Sequence, residues 1–100
     1  MNPIIENNID KLKALCIKYK VDKMYVFGSV LTPDFNQKSD IDFLVRLKPF
    51  GHKGAFLNYF DFKDSLKELF KREVDLVSEE GLENPYIIKS INKTKQLIYG

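Results

Sequence analysis

The sequence predicts an α/β (α+β) fold: a small mixed β-sheet of three to four strands flanked by helices. Apolar residues recur at three- and four-residue spacing in stretches that begin at Asn2-Pro3, Phe56 and Asn84-Pro85, the pattern of amphipathic helices. Between them lie short apolar runs near 24–27, 41–47, 73–77 and 97–99, which have the length and composition of strands. With 100 residues, 44% hydrophobic, 13% aromatic and 30% charged, the chain reads as one globular domain spanning 1–100 with a modest core.

The first helix opens at Asn2-Pro3, because Asn is a good N-cap and Pro is tolerated at the first helical position. Ile5, Ile9, Leu12, Cys16 and Tyr19 then form one stripe that faces a core. The strand 23–27 is continuously apolar through Met24-Tyr25-Val26-Phe27, which suits a central strand covered on both faces. It delivers Gly28-Ser29. Ser29 to Leu31 open a short helix that Pro33 and the polar run 34–39 bring to an end in a loop.

The strand 40–47 places Ile41, Phe43, Val45 and Leu47 on one face and Asp40, Asp42, Leu44 and Arg46 on the other. Pro49, Gly51 and Gly54 make a flexible connection expected to order with ligand. In the longest helix, Phe56, Tyr59, Phe62, Leu66, Leu69 and Phe70 form a core stripe, and Leu57 and Phe60 widen it toward solvent. That aromatic face also suits a partner surface or a base-stacking shelf. The strand 73–77 sets Val74 and Leu76 against Glu73, Asp75 and Val77, so Asp75 can face the acid pair. Asn84-Pro85 starts a last helix carrying Ile87, Ile88 and Ile91, and 97–99 closes the chain as an edge strand. There is no internal repeat and no low-complexity segment.

Charge narrows the function classes. The formal net charge of +2 arises in the first fifty residues, with eight basic and six acidic, while the second fifty balance at eight each. No polybasic tract marks direct nucleic-acid binding. Lys89, Lys93 and Lys95 read as a solvated helix face, with contact to phosphate or an acidic partner as the alternative. The single cysteine, Cys16, excludes an intrachain disulfide and sits in the apolar stripe as a small hydrophobe. His52 is alone in a loop and reads as solvent-exposed, not as a zinc ligand. Without a leader or an eighteen-residue apolar run, a cytoplasmic protein with no membrane association is expected.

The chemistry concentrates between Phe27 and Leu47. Gly28-Ser29 follows an apolar run; ten residues after Ser29 come Asp40 and Asp42, two apart at the start of a strand and therefore on one side. Carboxylates at the edge of a buried region are costly unless paired or metal-bound. Magnesium suits them, since it takes one or two carboxylates and leaves its other positions to water and substrate phosphates. The glycine allows close approach of a phosphate to the backbone, and the serine adds a hydroxyl beside free N–H groups.

This pattern, Gly-Ser-x10-Asp-x-Asp, resembles the signature of the minimal nucleotidyltransferase (MNT) domains of the DNA polymerase beta-like superfamily, in particular the MntA-type antitoxins of HEPN/MNT pairs. The segment Arg72-Glu73-Val74-Asp75-Leu76-Val77 is similar to the strand that brings the third carboxylate, with Asp75 in the matching place. The resemblance covers nearly the whole chain and implies a polymerase beta palm-like fold. It implies metal-dependent transfer of a nucleoside monophosphate, AMP from ATP, to a hydroxyl, with release of pyrophosphate. Asp40, Asp42 and Asp75 would hold two Mg2+ ions, or Mn2+. Asp75 would also help deprotonate the acceptor, and Gly28 and Ser29 would hold the terminal phosphates of the nucleoside triphosphate.

The implied partner is a HEPN-family protein, modified on a tyrosine, with this chain as antitoxin; a homo- or a hetero-oligomer is compatible. The second reading is a binding module with a weak or inactive site that neutralises its partner sterically. An aminoglycoside-type transferase is a third, disfavoured because those enzymes usually carry a further domain. The sequence departs from many members at two places: Val30 stands where arginine usually follows Gly-Ser, and Pro33 stands near the second glycine.

Overall fold

The computed structural model describes residues 2–49 and 54–100. In chain order the elements are α1 (Pro3–Glu6), α2 (Ile9–Lys18), β1 (Val21–Phe27), a 3-10 turn (Gly28–Leu31), β2 (Ile41–Leu47), α3 (Ala55–Phe70), β3 (Val74–Ser78), a second 3-10 turn (Glu79–Gly81), α4 (Pro85–Thr94) and β4 (Gln96–Tyr99). The sheet has four strands in the order β3-β2-β1-β4. It is mixed, as expected: β1 pairs antiparallel with β2 and β4, while β2 and β3 run parallel. Parallel neighbours need a long crossover, and α3 supplies it.

The expected first helix is divided. Asn2 caps α1 by accepting from the Ile4 N–H at 2.9 Å, but the Asn8 side chain donates to the Ile4 carbonyl at 2.8 Å and Asn8 leaves helical geometry. Asn competes with the helix backbone for its own hydrogen-bonding groups, so two in succession break the helix here. The apolar stripe continues across the break, with Ile5, Leu12 and Cys16 all buried. Burial in that stripe pushes the Cys16 thiol up to about 12, which keeps it protonated and inert.

One face of the sheet carries the main core. Met24, Val26, Ile41, Phe43, Val45, Val74 and Leu76 pack there against Ile5, Leu12 and Cys16 of α1–α2 and Phe62, Leu66 and Phe70 of α3. Hydrogen bonds join the covering helices: Tyr19 and Ser65 share one at 2.9 Å, and the Asn58 amide donates to the Tyr19 carbonyl at 2.8 Å. In α3, burial begins only at Phe62. Phe56, assigned to the core stripe, is instead 72% exposed, tilted against Phe60 with ring centroids 4.5 Å apart. Leu57 and Phe60 are exposed by 65% and 42%, as the widened stripe predicted. The expected flexible connection and His52 fall wholly or partly on 50–53, outside the described residues.

On the opposite face lie α4 and the segment around Glu79 and Leu82. Asn84 caps that helix through the N–H groups of Tyr86 (2.9 Å) and Ile87 (3.4 Å), with Pro85 next, as the sequence indicated. Only Ile91 of α4 is buried, so Tyr25 and Phe27 on this face of β1 are half-buried and the strand is not closed on both sides. Among the described residues no helix is long and apolar enough to cross a membrane.

Candidate active site

The half-covered face holds the acids. Asp42 is the second residue of β2 and lies in register with Asp75 of β3 on one side and Phe27 of β1 on the other. Asp40 sits in the loop immediately before β2, one residue short of the strand start the sequence suggested. Period-two alternation therefore brings Asp42 and Asp75 side by side on the face away from the main core, at the end where β1 runs out into Gly28.

Gly28 closes the arrangement from below. Its φ of +81° is a conformation that favours glycine, and a Cβ at this position would lie 2.1 Å from the Asp42 Oδ2. The backbone thus passes so near the Asp42 carboxylate that any side chain would collide with it. Ser29 follows in the 3-10 turn, and its carbonyl accepts from the Thr32 N–H at 2.9 Å and the Thr32 hydroxyl at 2.8 Å. Val30, in the position of the family arginine, is buried in the main core and anchors the turn.

The cost of this arrangement falls on Asp42. The Asp42 carboxyl is pushed up to about 6, first by burial and then by the charges of Asp75 and Asp40. Among the described residues no ion pair relieves them: Arg46 goes to Asp22 at 3.5 Å and Lys67 to Glu73 at 3.4 Å. Nor do any three His, Cys, Asp or Glu side chains among those residues form a ready-made metal cage. Asp42 and Asp75 side by side, with Asp40 in the adjoining loop, offer carboxylate oxygens, the donor type that hard divalent ions prefer.

A cavity of about 520 Å³ reaches Gly28 and Asp75, between the sheet and α4. Phe27, Val77, Ile87 and Ile91 make its walls apolar; Gly28 and Asp75 lie on its border. The size is that of an ordinary small-molecule site.

Two residues of the site were missed by the sequence reading. Tyr59, assigned to the core stripe of α3, donates its hydroxyl to the Leu76 carbonyl, beside Asp75. Burial, and after it the Asp75 charge, raise that hydroxyl above its ordinary ionisation range, so it stays a donor. Nothing in a helical stripe distinguishes such a tyrosine from its neighbours. The other is Arg72, which donates to the carbonyls of Asn36 (3.1 Å) and Ser39 (2.9 Å). Its place three residues before Asp75 was the available signal.

Comparison with known proteins identifies the family. Residues 10–100 match the family model described as polymerase beta, nucleotidyltransferase. The chain belongs to this family. It is a nucleotidyltransferase, as the family resemblance implied. A relative from Methanocaldococcus jannaschii, provisionally named protein adenylyltransferase MJ0128, is 41% identical over 87 residues, covering 87% of this chain and 84% of the relative.

Among solved structures, a minimal nucleotidyltransferase superposes with a TM-score of 0.77 at 26% identity, covering 96% of this chain and 95% of that one. Two further structures share the fold. One is a toxin–antitoxin with AMP-PNP, with a TM-score of 0.73 and 20% identity over 93% of this chain and 73% of that one. The other is a tri-AMPylated Shewanella oneidensis HEPN toxin in complex with its MNT antitoxin, with a TM-score of 0.67 and 18% identity over 95% and 71%. The four-stranded mixed sheet of this nucleotidyltransferase is the one these neighbours share.

Proposed function

We propose that this nucleotidyltransferase moves AMP from ATP to a tyrosine hydroxyl of a HEPN-family partner and so acts as a cytoplasmic antitoxin. The observation that carries the reading is the register of Asp42 with Asp75 beside Gly28, with the charge of Asp40 also felt at Asp42 and no ion pair to any of the three among the described residues. The relative named for protein adenylylation and the antitoxin of the AMPylated complex support the acceptor class.

In this reading Asp40, Asp42 and Asp75 would hold two Mg2+ ions, or Mn2+, which would supply Lewis-acid stabilisation of the charge that develops on the phosphoryl oxygens. Gly28 brings main chain close to the triphosphate without a side chain in the way, and Ser29 offers its hydroxyl and N–H to the terminal phosphates. Asp75, on the cavity border, takes the proton of the acceptor hydroxyl. The freed oxygen forms a bond to the α-phosphorus as the bond to the β-phosphate oxygen breaks, and pyrophosphate leaves with the electron pair.

The second reading, a binding module that neutralises its partner sterically, is favoured by Val30, whose burial replaces a phosphate-contacting arginine, and by the exposed patch of Phe56, Leu57 and Phe60. Asp40→Asn with Asp42→Asn separates the two. Transfer of radiolabelled AMP from α-labelled ATP to a co-purified HEPN protein should vanish in the double variant while the complex persists. Toxin neutralisation unchanged in that variant would leave the steric reading in place.

A further inference from the structure

Asp40 differs from the other two acids in lying outside the sheet, where ladder hydrogen bonds do not fix it. The peptide groups on either side of it are nevertheless held. On its N-terminal side, the Ser39 carbonyl accepts from the Arg72 guanidinium at 2.9 Å, and the same nitrogen reaches the Asn36 carbonyl at 3.1 Å. On its C-terminal side, the Ile41 N–H donates to the Glu73 carbonyl at 3.2 Å. Both anchors come from consecutive residues at the entry to β3, the strand that carries Asp75.

The guanidinium is itself fixed. Its carbon lies 4.7 Å from the centroid of the Phe35 ring, within cation–π range, and Phe35 packs against the main core. The loop has its own turn, in which Asn36 accepts from Ser39 and its side chain accepts from the Lys38 N–H at 2.9 Å. Among the described residues Arg72 pairs with no carboxylate, so its charge goes to two main-chain carbonyls and a ring.

We propose that Arg72 is a positioning residue of the transferase: it clamps the 35–40 loop to the entry of β3 and so sets the separation of Asp40 from Asp75. A planar fork suits this task, because it reaches two carbonyls at once while stacking on a ring, which an ammonium does not. The inference rests on the proposed roles of the acids. Residues that orient metal ligands typically contribute about 10–100-fold to metal affinity or activity.

The test uses the full chain with Arg72→Gln, Arg72→Lys and Phe35→Leu. It measures the melting temperature, kcat and KM for AMP transfer, and Mn2+ affinity by calorimetry in the presence of α,β-methylene-ATP, whose bridge cannot be cleaved. Arg72→Gln should weaken Mn2+ binding about 10-fold and lower kcat about 10–100-fold, with KM for ATP at saturating metal nearly unchanged. Arg72→Lys should fall between it and the wild type. A purely structural arginine would lower the melting temperature and leave Mn2+ affinity and kcat alone, and that result overturns the proposal. Should Arg72→Gln fail to fold, Phe35→Leu decides: weaker Mn2+ binding upholds the clamp and unchanged binding rejects it. Wild-type protein that binds Mn2+ but transfers no AMP would defeat the proposed function while leaving the clamp measurable; wild-type protein that binds no Mn2+ would defeat both.

Discussion

The two faces of this sheet are built to different standards. Against α1–α3 the strands bury an almost continuous apolar layer from Ile5 through Phe62 to Leu76, with no polar side chain buried among the described residues. Against α4 they leave cavities, half-buried Tyr25 and Phe27, and the acids. The difference teaches how a chain of this size accommodates repelling carboxylates: stability comes from the closed face, so the open one can hold groups that cost stability. Four changes sharpen or break that division.

The largest effect should come from the open face and appear in rate alone. Asp75→Ala should leave ATP binding largely intact, since Asp40, Asp42, Gly28 and Ser29 remain. AMP transfer under single turnover should drop by about 10²–10⁴-fold, the loss typical of a general base. Transfer within a few-fold of wild type would remove Asp75 from the chemistry.

On the closed face the effect should appear in stability alone. Phe62→Ala removes a fully buried ring packed 5.5 Å from Tyr19, at an expected cost of about 3–5 kcal/mol. Urea unfolding measures it, and transfer per folded molecule should be preserved. A selective loss of activity in the folded fraction would mean that the two faces are coupled.

Asp42→Asn should reverse the usual direction and stabilise the free protein. A carboxyl raised to about 6 from its ordinary 3.8 binds its proton more tightly in the native state than in the unfolded chain. Ionising it therefore costs stability above pH 6, and the cost fades as pH falls from about 6 toward 4. For a half-buried group screened by solvent the gain is about 1–2 kcal/mol at pH 7. Metal-free melting curves of both proteins at several pH values should converge on acidification. A gap that stayed constant would assign the effect to something other than this charge. The smallest change belongs to Phe56→Ser, expected within about 0.5 kcal/mol of wild type because the ring is mostly in solvent; thermal melting with a loss several times larger would place the start of α3 inside the core.

How much of this was legible beforehand follows the range of the interactions. The Asn84-Pro85 helix start, the strand alternation around Asp42 and Asp75, and the Gly-Ser-to-acid spacing are local patterns, and the structure repeats them with shifts of a residue or two. The Asn7-Asn8 break was visible in composition but was outvoted by an apolar stripe that runs through it. Phe56 was misassigned because periodicity reports which face a residue is on, not how far the neighbouring sheet extends. Tyr59 and Arg72 depend on contacts 17 to 36 residues away in sequence, and no single-chain pattern encodes those.

Gly28 gives the site a mutational grammar of its own. Because a Cβ there would overlap the Asp42 carboxylate, the two positions cannot be varied independently. Gly28→Ala should be severe in the native background and milder once Asp42 is replaced by glycine. Recovery would stop short of complete, because φ at this residue is +81° and alanine resists that backbone at a cost of about 1–2 kcal/mol. A combinatorial library over positions 28 and 42 should therefore return folded variants in which bulk at one position appears only with its loss at the other.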